Sequence, residues 1–290
     1  MAPSGAVQEA RLERGVRVLE RWGLRVRLGE SIRARRGYLA GDDDARLRDL
    51  QRMLDDPDVR AVFCARGGYG SQRLVPSLCL AALSAAPKPV VGYSDASALL
   101  AAIVGAGVVA VHGPMVAQDM ARGLSARSED HLRRLLADPG YVWEAELPEI
   151  VRPGRAVGRL VGGCLSVVAA LAGTPWAPDT DGAILFLEDV HERPYRIDRL
   201  LTQLRQAGML DRLAGLVFGT MMLCPVVDDV APLDVIRACC ADLPCPVAFG
   251  LPAGHQGDGP GIDHLALPLG LPVAMDTARG RLVALEGAVV

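Results

Sequence analysis

A serine, a carboxylate and a histidine each stand at the end of an apolar run in this chain. Ser94 follows Val90-Val91-Gly92-Tyr93 and opens an Ala/Leu-rich segment. Glu188 closes Ala183-Ile184-Leu185-Phe186-Leu187, and His255 ends Phe249-Gly250-Leu251-Pro252-Ala253-Gly254. A serine hydroxyl becomes a nucleophile when a histidine takes its proton and a carboxylate orients that histidine. Geometry rather than chain order defines such a triad, so the order Ser, Glu, His is permitted.

Each residue has an ordinary reading beside the chemical one. Ser94 sits where a strand feeds a helix, and there the backbone N–H of Asp95 can stabilise an oxyanion with help from the helix N-terminus. The stretch Gly92-Tyr93-Ser94-Asp95-Ala96 lacks the second glycine of the G-x-S-x-G elbow, and Ser94 or Asp95 would serve equally as a plain N-cap. Arg66-Gly67-Gly68-Tyr69-Gly70 also follows a strand, at the sheet edge where open α/β proteins bind ligands, or it is simply a tight turn. Glu188 could be a salt-bridging acid among Asp189, Glu192 and Arg193. His112, after the run Val108 to Val111, is a second candidate base, whereas His131 and His191 lie among charged residues and read as surface.

The elements that must position these residues follow from periodicity. Residues 6–23 and 42–55 read as amphipathic helices, the second with Asp42 as N-cap. Val59 to Cys64, Lys88 to Gly92 and Val108 to Val111 read as strands, with helices over 71–83 (kinked at Pro76) and 96–104 between them. Alternation of this kind implies a parallel sheet with right-handed crossovers. Ser125 to Leu136 reads as a charged helix, and Pro139-Gly140 and Pro148 to Gly154 as linker. Strands are expected over 182–188, 215–220 and 247–250 and near Val273 and Val283, with a helix from Pro194 to Gly208. Two α/β domains result, over residues 1–125 and 156–290, joined by a linker over 126–155.

Composition narrows the class. The 290 residues are 50% hydrophobic and 22% charged, as in a globular chain with an ample core. A net charge of −3 gives no basic surface for nucleic acid. Lys88 is the only lysine and asparagine is absent, from which no function follows. The longest uncharged stretch, Leu160 to Pro178, is broken by glycines and prolines and does not read as a membrane helix. No basic region followed by an apolar one opens the chain, so a cytoplasmic location is expected. The seven cysteines form no CxxC pair and none of the five histidines stands at ligand spacing from one, which argues against structural zinc. They read as small buried hydrophobes in a reducing compartment.

Taken together, Met1-Ala2-Pro3-Ser4-Gly5, Tyr38 to Gly41, Arg66 to Gly70, Gly92 to Asp95, His112 to Met115, Gly158 to Pro175, Leu187 to Val190, Pro194 to Arg199 and Gly250 to His255 resemble the LD-carboxypeptidases. That family of serine peptidases also includes the microcin C self-immunity proteins. The resemblance runs nearly end to end and in order. It implies a Rossmann- or flavodoxin-like N-terminal domain and a C-terminal α/β domain with a barrel-like sheet. It also implies a Ser94–Glu188–His255 triad split between them, and an oxyanion hole from the backbone N–H groups of Asp95 and Gly68. A homodimer without metal or organic cofactor is implied. The implied reaction is release of the terminal D-alanine from murein tetrapeptides at an L,D peptide bond. The alternative is immunity-type hydrolysis of peptidyl- or aminoacyl-nucleotides, for which Trp176 is the nearest base-stacking candidate. A non-catalytic binding module is the reading from another class, disfavoured because all three triad residues are present. This chain departs from the family at Cys164, commonly Asn, and at Ser97, more usually Thr. A strand usual before Ala-Pro-Ser-Gly is also missing, through a misassigned start or a lost edge strand.

Overall fold

The computed structural model describes residues 1–257 and 259–289. The first half contains α1 (Glu9–Arg21), α2 (Asp43–Asp55), β1 (Val62–Phe63), α3 (Ala81–Ala85), β2 (Val90–Gly92), α4 (Ser97–Gly105), β3 (Ala110–His112) and α5 (Ala126–Ala137). Helix α1 buries Leu12, Val18 and Leu19, and α2 buries Leu50, Met53 and Leu54. The Asp42 side chain accepts the Ala45 N–H at 2.7 Å, so α2 is capped as its sequence predicts. Strands β1, β2 and β3 pair in parallel. Helix α4 is buried from Ser97 through Ile103, which explains an apolar composition on every face.

The second half contains β4 (Glu144–Glu146), β5 (Glu149–Arg152), β6 (Arg155–Cys164), α6 (Leu165–Leu171), β7 (Ile184–Val190), α7 (Pro194–Gln206), β8 (Gly215–Met222), α8 (Pro232–Cys240), β9 (Val247–Phe249), β10 (Leu267–Leu269), β11 (Pro272–Asp276) and β12 (Arg281–Ala284). Eight strands join in the order β4-β12-β11-β6-β7-β8-β9-β5. Its two edge strands, β4 and β5, are separated only by Leu147-Pro148. A link that short spans roughly 10 Å, so the sheet must curl its ends toward each other, as a barrel-like sheet does. Strand β10 leaves this half to pair antiparallel with β3, making the first sheet a mixed one of four strands.

Pleating decides which way Glu188 faces. Along β7, Ile184 and Phe186 enter the core shared with the first sheet, while Leu185 and Leu187 enter the core beneath α6, α7 and α8. Side chains alternate along a strand, so Glu188, two residues beyond Phe186, is carried to the face that meets Ser94.

Several sequence expectations need correction. Residues 71–83 form no single helix, only a 3₁₀ turn at Val75–Ser77 and the short α3. The amides that would open such a helix are held elsewhere, since Gly70 N–H and Ser71 N–H donate to the Asp95 carboxylate. Pro148 to Gly154 is not mere linker, because β5 lies within it and pairs with β9. His131 is buried, with one ring nitrogen 2.9 Å from Tyr141 Oη and the other 2.8 Å from Ala266 O. Cys79 is exposed and Cys224 and Cys239 are half-buried, so only four of the seven cysteines are the buried hydrophobes expected. Among the described residues no helix is long and apolar enough to cross a membrane.

Met1 lies along the open edge of β1: its amine donates to Phe63 O at 2.9 Å, and Ala65 N–H donates to Met1 O at 2.7 Å. Among the described residues no strand occupies that edge. A cavity of about 670 Å³ lies beside it, lined by Leu12, Val16, Ile32, Met53, Val59 and Phe63 among others.

Candidate active site

Ser94 occupies the join between β2 and α4, as the first residue of a 3₁₀ turn over Ser94–Ala96. Its φ of 60° is left-handed, a strained position for a side-chain-bearing residue and one found where function over-determines the backbone. Neither Ser94 nor Asp95 N-caps α4, whose N-cap, Ala96, receives no side-chain hydrogen bond. The capping alternative is therefore set aside, and the Ser94 hydroxyl is directed elsewhere.

It points at His255. Ser94 Oγ lies 3.0 Å from His255 Nε2, and His255 Nδ1 lies 2.7 Å from Glu188 Oε2. The same carboxylate oxygen accepts the His255 backbone N–H at 2.8 Å. Three residues separated by up to 161 positions thus form one hydrogen-bonded chain. Thr220 Oγ1 donates to His255 O at 2.6 Å and holds the loop from the β8 side. The Tyr93 ring and the His255 imidazole meet in a T-shaped arrangement at a centroid distance of 4.9 Å.

The electrostatics follow from burial and pairing. Glu188 is fully buried, which by itself would raise its pKa; the charge and hydrogen bond of His255, with the His112 ring close by, outweigh this and hold the carboxyl well below its usual range. Burial pulls His255 down, but the Glu188 charge and hydrogen bond push it above the ordinary imidazole value. Asp189, next door, is raised by burial and by Glu188. Its carboxylate accepts the Ser166 N–H at 2.8 Å, so it supports the start of α6 rather than joining the chain.

The glycine turn closes over the serine. A Cβ on Gly67 would lie 2.9 Å from Ser94 Oγ and 3.6 Å from Asp95 N. Gly67 N–H is directed to Gln118 Oε1 at 3.4 Å, while Gly68, at a φ of +121°, donates its N–H to no group among the described residues. Asp95 N–H belongs to the first turn, where amides lack intrahelical partners. The turn is fixed by the Asp95 side chain, which accepts Gly70 N–H at 3.2 Å, Ser71 N–H at 2.8 Å and Ser4 Oγ–H at 2.5 Å. In the sequence Asp95 reads as an oxyanion donor through its backbone or as an N-cap through its side chain; nothing local indicates that its carboxylate gathers the turn.

The two departures also touch the site. Ser97 Oγ accepts the Cys164 N–H at 3.0 Å, and Gly163 approaches so closely that a Cβ would sit 2.5 Å from that oxygen. The buried Cys164 thiol lies 3.5 Å from Asp189 Oδ1 and 3.4 Å from Ser166 Oγ. Trp176, half-buried, packs against Val75, Ala98 and Leu171 and serves the core. His191 is exposed. Among the described residues no group of three or more metal-ligating side chains is assembled.

A two-sheet α/β protein with a strained serine hydrogen-bonded to a histidine that is itself hydrogen-bonded to a glutamate belongs to the class of serine hydrolases. Comparison narrows the class. Residues 1–113 match the model of the LD-carboxypeptidase N-terminal domain, and residues 157–275 match that of the C-terminal domain. The chain belongs to the LD-carboxypeptidase family. It is 36% identical over 295 residues to the murein tetrapeptide carboxypeptidase of Pseudomonas aeruginosa, covering 97% of this chain and 93% of that one. It superposes with a TM-score of 0.86 on the crystal structure of muramoyltetrapeptide carboxypeptidase from Oxalobacter formigenes, at 33% identity, covering 98% of this chain and 97% of that one. The microcin C7 self-immunity protein of Escherichia coli is more distant, at 26% identity over 307 residues, covering 95% of this chain and 88% of that one.

Proposed function

We propose that this protein is a serine carboxypeptidase that removes the terminal D-alanine from murein tetrapeptides at an L,D peptide bond. The observation that carries this reading is the unbroken hydrogen-bonded chain from Ser94 through His255 to Glu188, set beside a glycine turn that leaves Gly68 N–H available. The names of the relatives above supply the substrate class.

In this reading Ser94 Oγ attacks the carbonyl carbon of the penultimate residue while His255 Nε2 takes its proton. Glu188 accepts Nδ1–H throughout, which fixes the tautomer and stabilises the imidazolium. The oxyanion accepts the N–H groups of Asp95 and Gly68. Collapse breaks the C–N bond, and His255 returns its proton to the departing amine of D-alanine. Water then attacks the acyl-enzyme, giving up a proton to His255, and the tripeptide leaves with its new carboxylate as Ser94 recovers its hydrogen.

The reading places the nucleophile on an N-terminal domain (residues 1–125) and its two partners on a C-terminal one (156–290). It further takes the protein to be a cytoplasmic homodimer working without metal or organic cofactor, on the strength of the family resemblance. The test is incubation of the protein and of Ser94→Ala with a murein tetrapeptide and with an aminoacyl sulfamoyl-adenylate. D-alanine release by the parent alone is expected. Equal release by both removes Ser94 from the mechanism, and turnover of the adenylate alone replaces the murein reading with the immunity-type one.

A further inference from the structure

The Glu188 carboxylate has two oxygens, and the chain just described uses one. Oε2 receives both N–H groups of His255. Oε1 is buried and, among the described residues, accepts no hydrogen bond. Leaving one oxygen of a buried, ionised carboxylate bare is costly, so a donor is needed on that side.

His112 is the group that faces it. It ends β3, is fully buried, and places Nε2 3.6 Å from Glu188 Oε1, just beyond hydrogen-bond length. Neither His112 ring nitrogen has another partner among the described residues. The ring is held by Phe186 at 5.0 Å and Tyr93 at 5.6 Å between centroids, which aims Nε2 along the carboxylate. The other titratable groups around this pair do not compete for Oε1. Tyr93 Oη–H donates to Asp119 at 3.0 Å, Asp119 also takes the Met115 N–H, and Asp189 takes backbone amides. His264 is buried and its ring nitrogens also lack partners among the described residues, but it forms no ion pair or hydrogen bond with Glu188, and His255 is committed to Oε2.

We propose that His112 is a positioning residue for this active site: it carries its hydrogen on Nε2 and donates it to Glu188 Oε1, so that Glu188 bridges two imidazoles, of which His255 reacts and His112 holds the bridge. Catalytic hydrogen bonds in unliganded sites are often long and tighten when substrate binds, so a short closure completes the contact. The contact also joins β3 of the first sheet to β7 of the second, the two halves that must keep Ser94 and His255 in register. This inference rests on the proposed roles of the triad.

The experiment compares the protein with His112→Phe and His112→Gln. His112→Phe is expected to lower kcat by about 10², as a misplacement on the ångström scale does, with KM little changed. A carboxylate that loses a donor on one oxygen becomes a better acceptor on the other, so the acid limb of kcat/KM should move to higher pH. His112→Gln, whose side-chain amide can donate to the same oxygen, should restore both the rate and the limb. Unchanged kcat and limb in His112→Phe, or equal losses in both variants without movement of the limb, overturn the proposal. Nitrogen-15 shifts of the imidazoles in the unaltered protein give a readout independent of folding and of substrate. An Nε2–H tautomer at His112 is expected, and an Nδ1–H tautomer overturns the proposal even if the murein reading stands. Absence of D-alanine release by the parent, with the Nε2–H tautomer present, would instead strike the substrate assignment alone.

Discussion

Gly254 wraps the Glu188 carboxylate so closely that a Cβ at this position would stand 2.4 Å from Oε2. Its φ of +103° is one that side-chain-bearing residues rarely adopt. The two facts have one cause: the chain must turn tightly around the carboxylate to present both the backbone N–H and the ring of His255 to a single oxygen. Gly254→Ala is therefore expected to push the His255 loop off Glu188 and reduce kcat by about 10² or more. The chain should remain folded, because Gly254 itself faces the carboxylate, while Leu251 and Ala253 before it keep their places in the core. Single-turnover acylation together with circular dichroism checks this; full activity in a folded Gly254→Ala would mean that the loop can reach Glu188 by another path.

The pH dependence follows from the coupling of His255 with Glu188. In the proposed mechanism His255 must be neutral to accept the Ser94 proton, and its pKa is raised above the ordinary value of about 6.5. The acid limb of kcat/KM should accordingly lie above that value. Glu188→Gln removes the charge responsible, so the limb should move down, while kcat falls by about 10⁴ through loss of the correct tautomer. The stability signs are opposite for the two partners. The depressed Glu188 contributes above its unfolded pKa of about 4.3, and loses that contribution as acid brings pH down through its folded value. The raised His255 contributes below about 6.5 and loses its contribution as pH rises through its folded value. Melting temperature against pH in the parent and in Glu188→Gln measures both.

How much of this was legible depended on distance along the chain. Helices α1, α2, α5 and α7 were readable because their apolar spacing is local, and β7 because Ile184 to Leu187 are apolar on both faces. Ser94, Glu188 and His255 were visible as residues ending apolar runs, and the resemblance joined them. What could not be read is what distant segments do to one another. His131 was expected at the surface because its sequence neighbours are charged, yet Tyr141 and Ala266 enclose it. The helix expected from Ser71 was forestalled by a carboxylate two dozen residues away. The fit of Gly254 against Glu188 and the approach of His112 to its free oxygen are likewise contacts between segments that no local pattern links.

Thiol reactivity separates the cysteines by environment. Burial pushes the Cys64 and Cys240 thiols up to about 12 and raises Cys164 well above its ordinary range. Cys79 is exposed. Since the thiolate is the reactive form, iodoacetamide at pH 8 should label Cys79 in the native protein within minutes. Cys64, Cys164 and Cys240 should be labelled only on unfolding. Peptide mapping of the alkylated protein tests this; early labelling of Cys164 would show that the buried join between β6 and α6 opens to solvent.

Asp95 offers the sharpest separation of architecture from chemistry, because its backbone and side chain serve different ends. The N–H is the proposed oxyanion donor, whereas the carboxylate holds Gly70, Ser71 and Ser4 in a buried cluster. Its carbonyl also accepts the Ser71 hydroxyl. Asp95→Asn keeps the backbone but replaces one acceptor oxygen by an NH₂ group facing N–H or O–H donors. One buried donor is then left unpaired, at about 1–3 kcal/mol of stability. The glycine turn also loses its tether, so the Gly68 N–H drifts from the oxyanion while the Asp95 N–H stays. Loss of a single oxyanion donor is worth about 10²–10³ in kcat, so the variant should show that loss with KM nearly constant. Asp95→Ala, which frees all three donors, should lose more stability but little further kcat. Urea unfolding and steady-state kinetics on the two variants give both numbers. A kcat loss that tracks stability through the pair, instead of levelling after the first substitution, would mean that the carboxylate supports the fold without aligning the turn.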